Sequence, residues 1–171
     1  KETLKEDMAA IGGIPPWVIM YFEKLIEITG EKTIKKIFPN FSLFVYGGVN
    51  YSPYKESFRQ LIGEEVDSIE YYPASEGFFA YQDSQKEEGL LLQLNSGMFY
   101  EFIEMEEMKK NYPKRLTINE VEKQTNYVLV VSTNAGLWGY NTGDTVEFTS
   151  LVPARVKVTG RYKHFISAFG E

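Results

Sequence analysis

Cysteine is absent from the 171 residues, and histidine occurs once, as His164. The first absence excludes disulfides, thiolate nucleophiles and cysteine metal sites; the second excludes any centre built on two imidazoles. Positive charge is scarce: 18 Lys and Arg stand against 24 Asp and Glu, a net charge of −6. That argues against a broad basic face for nucleic acid, and no nucleic-acid partner is expected. No apolar run approaches the roughly 18 residues of a membrane span. The longest candidate, 17–28, is broken by Glu23, Lys24 and Glu27. No secretory leader is visible, and the missing cysteine fits a reducing, cytoplasmic location. What is present is a globular balance, 43% hydrophobic and 25% charged. That suits one ordinary domain or two small ones. The chain opens on Lys1 without a methionine, so it is expected to be a piece of a longer protein.

The first part reads as helices alternating with strands. Leu4, Met8 and Ile11 share a helical face, so a helix is expected over 1–11, stopped by Gly12-Gly13. Pro15-Pro16 opens a second helix, with Trp17, Tyr21, Leu25 and Ile28 as its stripe and Gly30 as terminator. A short helix is expected over 33–38. The apolar run 42–46 before Gly47-Gly48 has the character of a strand buried on both faces. Ser52-Pro53 opens another helix with Tyr54, Phe58, Leu61 and Ile62 buried, and 67–72 is the next strand. Strand, helix, strand over this distance is one βαβ unit with parallel strands. Two parallel strands do not make a stable sheet, so further strands are expected from outside the chain. Truncated edges would promote association.

After Asp83 the pattern changes. The polar segment 83–89 reads as a turn or linker, and short strands follow at 90–94, 98–104, 127–132, 137–140, 145–149 and 155–159. Such spacing suggests a small antiparallel barrel or curled sheet. The expected fold class is therefore α/β plus β: a βαβ portion over 1–84, an antiparallel barrel-like β subdomain over 85–159, and a closing segment over 160–171.

Four places carry candidate chemistry. Ser75 and Glu76, in Tyr71-Tyr72-Pro73-Ala74-Ser75-Glu76-Gly77, follow the second parallel strand, where ligands of open α/β sheets gather. Glu76 can hold Mg²⁺ together with substrate phosphates, and Tyr72 offers a flat face for a base. The plain alternative is a capping serine and a solvated glutamate. Gly47-Gly48 either lets a flat group lie on the backbone or makes a tight turn. Asp144, in Asn141-Thr142-Gly143-Asp144, either tips a hairpin turn or accepts bonds from the vicinal hydroxyls of a ribose. Gly160-Arg161-Tyr162-Lys163-His164 is a basic cluster or a solvated turn. His164, with no second histidine, is not assigned as a metal ligand.

In order and spacing, Gly47-Gly48-Val49, Tyr72-Pro73-Ala74-Ser75-Glu76-Gly77-Phe78-Phe79, Gly136-Leu137-Trp138-Gly139-Tyr140-Asn141-Thr142-Gly143-Asp144-Thr145-Val146, Gly160-Arg161 and Phe165-Ile166-Ser167-Ala168-Phe169-Gly170-Glu171 resemble one family. It is the acyl-acid amido synthetases, the auxin-responsive family of plants with bacterial and animal relatives, within the adenylate-forming superfamily. The closing stretch is most similar to the bacterial branch. The resemblance implies an ATP-dependent ligase. A carboxylate attacks the α-phosphate of ATP, pyrophosphate leaves, and an amine, usually of an amino acid, takes the acyl group to give an amide. It implies that Ser75 and Glu76 are catalytic, with Glu76 placing Mg²⁺ on the ATP phosphates. Tyr72 would flank the adenine, Gly47 and Gly48 would line its pocket, Asp144 would hold the ribose, Arg161 would contact ribose or phosphate, and Lys163 would lie near the hinge of a carboxyl-terminal lid.

There are departures. No Ser/Thr/Gly-rich phosphate loop is found over 1–38, the lid and its lysine are expected downstream of Glu171, and the arginine of plant members near Tyr140 is missing, with Asn141 and Thr142 in that neighbourhood. The chain is thus expected to be an inactive internal fragment of the large domain. Two other readings stand beside it: a ligase ending in a CoA or acyl-protein thioester, and a noncatalytic module whose 12 Tyr and 12 Phe form a sugar- or peptide-binding face.

Overall fold

The computed structural model describes residues 2–162. It divides into two compact units, Lys1–Pro73 and Ala74–Glu171, ahead of the boundary expected near residue 85.

The first unit is a parallel sheet covered by helices. Strands β1 (Ala10–Gly12), β2 (Leu43–Tyr46) and β3 (Asp67–Ala74) pair in that order, all parallel. The expected βαβ unit is present, with a third strand added. The expected helix over 1–11 does not form: a 3₁₀ turn over Thr3–Lys5 is followed by β1. Ile11 pairs with Phe44 in the sheet, and this pairing with β2 overrides the helical spacing of Leu4, Met8 and Ile11.

Helix α1 (Pro15–Thr29) starts on Pro15-Pro16 and ends at Gly30, whose φ of 73° is the left-handed conformation that glycine adopts freely. It buries Val18 and Phe22, and of the expected stripe only Leu25 is buried. Trp17 is 68% and Ile28 45% exposed. The helix is apolar on more than one side, so two stripes fit its period. The one taken puts Phe22 edge-on against Phe41 and Phe58. Helix α2 (Ile34–Ile37) lies where expected. Helix α3 (Lys55–Ile62) follows a 3₁₀ turn at Ser52–Tyr54 and buries Phe58 and Ile62. Ser52 makes no side-chain cap there; instead the side chain of Asn50 accepts a bond from the Ser52 N–H, at 2.9 Å. Phe44 and Tyr46 of β2 join Phe22 and Phe58 in one core.

The second unit is antiparallel. Its strands are β4 (Gly77–Tyr81), β5 (Leu90–Leu92), β6 (Met98–Glu104), β7 (Asn126–Thr133), β8 (Tyr140–Leu151) and β9 (Ala154–Arg161), in the order β4-β5-β9-β8-β7-β6. The sheet curls. Phe79 of β4 meets Tyr100 of β6 edge-on, and a side chain on Gly77 would collide with Met98 Sδ, so its first and last strands approach. Phe102, Tyr127 and Phe148 pack edge to face in its core. The polar segment after Asp83 connects β4 and β5 inside this unit. Two expected strands, at 137–140 and 145–149, are replaced by the single strand β8, which carries Asn141, Thr142, Gly143 and Asp144 within it.

Candidate functional site

Within the first unit, parallel pairing brings the ends of β2 and β3 together. Tyr46 is the register partner of Glu70, so Gly47 comes beside Tyr71. Gly47 is buried, and a Cβ there would stand 2.5 Å from the Tyr71 carbonyl oxygen and 3.1 Å from Pro73 Cδ. Gly47 is therefore glycine because the two backbones nearly touch. Gly48 is exposed and has φ of 82° with open space around it, which marks a turn. Tyr72 is 6% exposed, so its ring is covered in this structure.

The same strand ends hold a pair that the motifs did not reveal. Tyr46 Oη lies 3.5 Å from Glu70 Oε2. Burial, reinforced by the Glu70 charge, pushes the Tyr46 phenol up, and burial pushes the Glu70 carboxyl up against the opposing effect of the Tyr46 hydroxyl. The register of the two strands could have suggested this pair once both were known to be parallel.

Within the second unit, Ser75 and Glu76 form the turn that leads into β4; Ser75 is exposed and Glu76 half-buried. Asp144 and Arg161 are brought together. They are register partners across β8 and β9, and Arg161 Nε lies 3.0 Å from Asp144 Oδ1, with the Asp144 side chain 12% exposed. Asp144 does not tip a hairpin; it sits in a bulge of β8. Val128 and Val130 of β7 pair with Thr145 and Asn141 of β8, leaving Thr142, Gly143 and Asp144 opposite Leu129. Bulges of this kind re-aim side chains and recur beside active sites. Lys163 and His164, and the closing motif from Phe165, lie outside the described residues.

Among the described residues no group of three or more His, Cys, Asp or Glu could hold a metal, and no helix is long and apolar enough to cross a membrane. Phe22, Phe44, Phe58, Phe102, Tyr127 and Phe148 are buried in cores, whereas Trp17, Phe78, Tyr112 and Tyr140 are exposed. An exposed patch remains at Phe99 and Trp138, 56% and 84% exposed.

Residues 91–161 match the model of the GH3 family central domain. That stretch contains the whole β8–β9 arrangement around Asp144 and Arg161. No curated protein matches the sequence. Solved structures do. The chain is similar to GH3.15 acyl acid amido synthetase at 20% identity and a TM-score of 0.62, covering 82% of this chain and 25% of that one. It is similar to a 2-hydroxyisobutyryl-CoA ligase in complex with 2-HIB-AMP and CoA at 12% identity and a TM-score of 0.64, covering 94% of this chain and 35% of that one. It is also similar to the Vibrio cholerae adenylation domain AlmE in complex with glycyl-adenosine-5'-phosphate, at 13% identity and a TM-score of 0.58, covering 95% and 33%. The chain thus shares its fold with part of each of these solved structures, in line with the expected fold class. The chain spans about a quarter of the length of the amido synthetase structure it matches.

Proposed function

We propose that this chain is the nucleotide-binding part of a cytoplasmic, adenylate-forming ligase of the acyl acid amido synthetase kind. The observation that carries the reading is Asp144, held in a strand bulge beside Arg161 within the stretch that matches the GH3 family central domain. Two structural neighbours with the same fold are described with an adenylate bound, which supports adenylation as the common chemistry.

In this reading Gly47, Gly48 and Tyr72 take the adenine side, and Asp144 accepts bonds from the ribose hydroxyls. Arg161 contacts ribose or phosphate, and Ser75 and Glu76 face the phosphates. A single half-buried carboxylate such as Glu76 suits Mg²⁺ delivered on ATP, because that ion keeps most of its ligands as water and phosphate oxygens. Bound there, the ion would neutralise charge on the departing pyrophosphate. A carboxylate oxygen of the acid bonds to the α-phosphorus as the bond to the pyrophosphate oxygen breaks. The amine nitrogen then bonds to the acyl carbon, AMP leaves, and the amine loses a proton. Positioning and charge stabilisation suffice, and no protein nucleophile is needed.

The test is ATP–pyrophosphate exchange in the protein as its gene encodes it, followed by product analysis. Acid-dependent exchange is expected, with loss of about 100-fold in Glu76→Gln, the scale of removing one electrostatic contact to developing charge. An amide product is expected with an amino acid present. A thioester with CoA would move the protein to the neighbouring ligase class. Absence of exchange with a broad panel of acids would overturn the reading. The isolated chain is expected to bind Mg·ATP weakly and to show no turnover.

A further inference from the structure

The bulge that aims Asp144 is locked by side chains from inside the strand. The Thr142 hydroxyl donates to the Leu129 carbonyl at 3.0 Å and accepts from the Asp144 N–H at 3.2 Å. The residue is 8% exposed. Asn141 Oδ1 accepts from the Gly143 N–H at 2.8 Å, and Gly143 has φ of 78°. On the β9 side the Gly143 carbonyl accepts from the Tyr162 N–H at 2.8 Å. The Gly143 and Asp144 amides within the bulge are thus bonded by the side chains of Asn141 and Thr142. A buried hydroxyl that both donates and accepts ties the bulge to β7 and to the backbone of Asp144 at once.

We infer that Thr142 is a positioning residue for nucleotide selection. Its hydroxyl fixes the backbone of Asp144 so that the carboxylate meets both hydroxyls of a ribose, and so favours ribonucleotides over 2′-deoxyribonucleotides. The inference rests on the reading of Asp144 as the ribose ligand. It concerns a residue one step removed, and it depends on the hydroxyl rather than on bulk. Valine has nearly the shape of threonine and the same strand preference. It would leave the Leu129 carbonyl and the Asp144 N–H without the bonds that Thr142 supplies.

The experiment measures KM and kcat for ATP and for 2′-deoxyATP in pyrophosphate exchange by the encoded protein. Asp144→Asn, Thr142→Val and Thr142→Ser are compared, with the melting temperature of each. Asp144→Asn is expected to raise the KM for ATP far more than that for 2′-deoxyATP, so that the preference for ATP shrinks. Thr142→Val is expected to shrink the same preference by about fivefold with little change in kcat, the scale of one lost hydrogen bond. Thr142→Ser restores it. A merely structural role would lower the melting temperature and leave the preference unchanged. If Asp144→Asn shrinks the preference and Thr142→Val does not, the inference is overturned and the ribose reading stands. If Asp144→Asn leaves it unchanged, the ribose reading falls and the inference with it. Should Thr142→Val not fold, Thr142→Ala enters the same comparison with the same outcomes.

Discussion

Arg155 shows how one residue can hold a long connection in place. Its side chain is 8% exposed, an unusual position for a cation unless a carboxylate meets it. Asp83 does so with both oxygens; Arg155 Nη2 reaches Asp83 Oδ2 at 2.9 Å, and Nη1 reaches the other oxygen. The pair fastens the start of the β4–β5 connection to β9, and Thr149 fastens its end by donating to the Glu88 carbonyl at 2.8 Å. The Arg155 guanidinium holds the Asp83 carboxyl below the usual carboxylate range. A folded value below the unfolded one gives stability that is present above the unfolded pKa, about 3.9. That stability is lost as pH falls through the lower folded value. Asp83→Asn is therefore expected to cost about 2 kcal/mol near pH 7, the scale of a hydrogen bond to a charged group. The gap from the parent protein should close as pH falls below about 4. Urea unfolding of both proteins at pH 7, 5 and 3 checks this; a gap that stays constant would remove charge as its cause.

Among the elements, the end of β2 is where sheet geometry constrains the candidate site most tightly. Gly47→Ala places a methyl 2.5 Å from the Tyr71 carbonyl oxygen, a backbone atom that cannot step aside without moving β3. The expected cost is about 1–3 kcal/mol, as for other overpacked sites, together with a raised KM for ATP because Tyr72 follows the displaced residue. Gly48→Ala meets no atom within 4 Å and loses through its positive φ, about 1–2 kcal/mol. Denaturant midpoints and KM separate the two: Gly48→Ala should leave KM closer to the parent. An unchanged KM in Gly47→Ala would mean that the β2–β3 contact does not shape the site. Legibility in the sequence follows the same division. Proline and glycine punctuation placed the start and end of α1, because Pro15 and Gly30 act through local backbone geometry; Gly63 ends α3 in the same left-handed way. The βαβ unit was also readable from apolar runs. The face of α1 was not, since an apolar residue stands on either side of the buried stripe. Nor was β1, whose strand state depends on pairing with residues more than thirty positions away. Asp144 stands out in the sequence as a candidate, but at the tip of a turn rather than within a strand. Asn-Thr-Gly-Asp is turn chemistry locally, and only the pairing of β7 and β9 with β8 converts it into a bulge. Thr142 stayed hidden for the same reason, as its partner Leu129 is distant in sequence.

At the scale of the whole molecule, the two units divide the candidate residues between a parallel sheet and an antiparallel one, so the response of each unit to a nucleotide is read separately. The adenylation reading makes both respond to Mg·ATP, whereas the aromatic-module reading makes neither respond. A ligand that binds the native state stabilises it by about 2.7 kcal/mol at a hundred times its Kd. Mg·ATP is therefore expected to raise the melting temperature of the encoded protein by several degrees, at concentrations where Mg²⁺ or adenosine has little effect. Gly47→Ala lies in the first unit and Asp144→Ala in the second, and each is expected to reduce that rise relative to its own ligand-free melting temperature. Hydrogen exchange then locates the effect: protection of amides in β2 and β3 and in β8 and β9 together is the result that one shared nucleotide requires. Protection confined to β8 and β9 would restrict the site to the second unit and leave Gly47, Gly48 and Tyr72 with structural roles. A melting temperature insensitive to Mg·ATP, combined with a rise on adding oligosaccharide or peptide, would instead transfer the function to the exposed patch around Phe99 and Trp138.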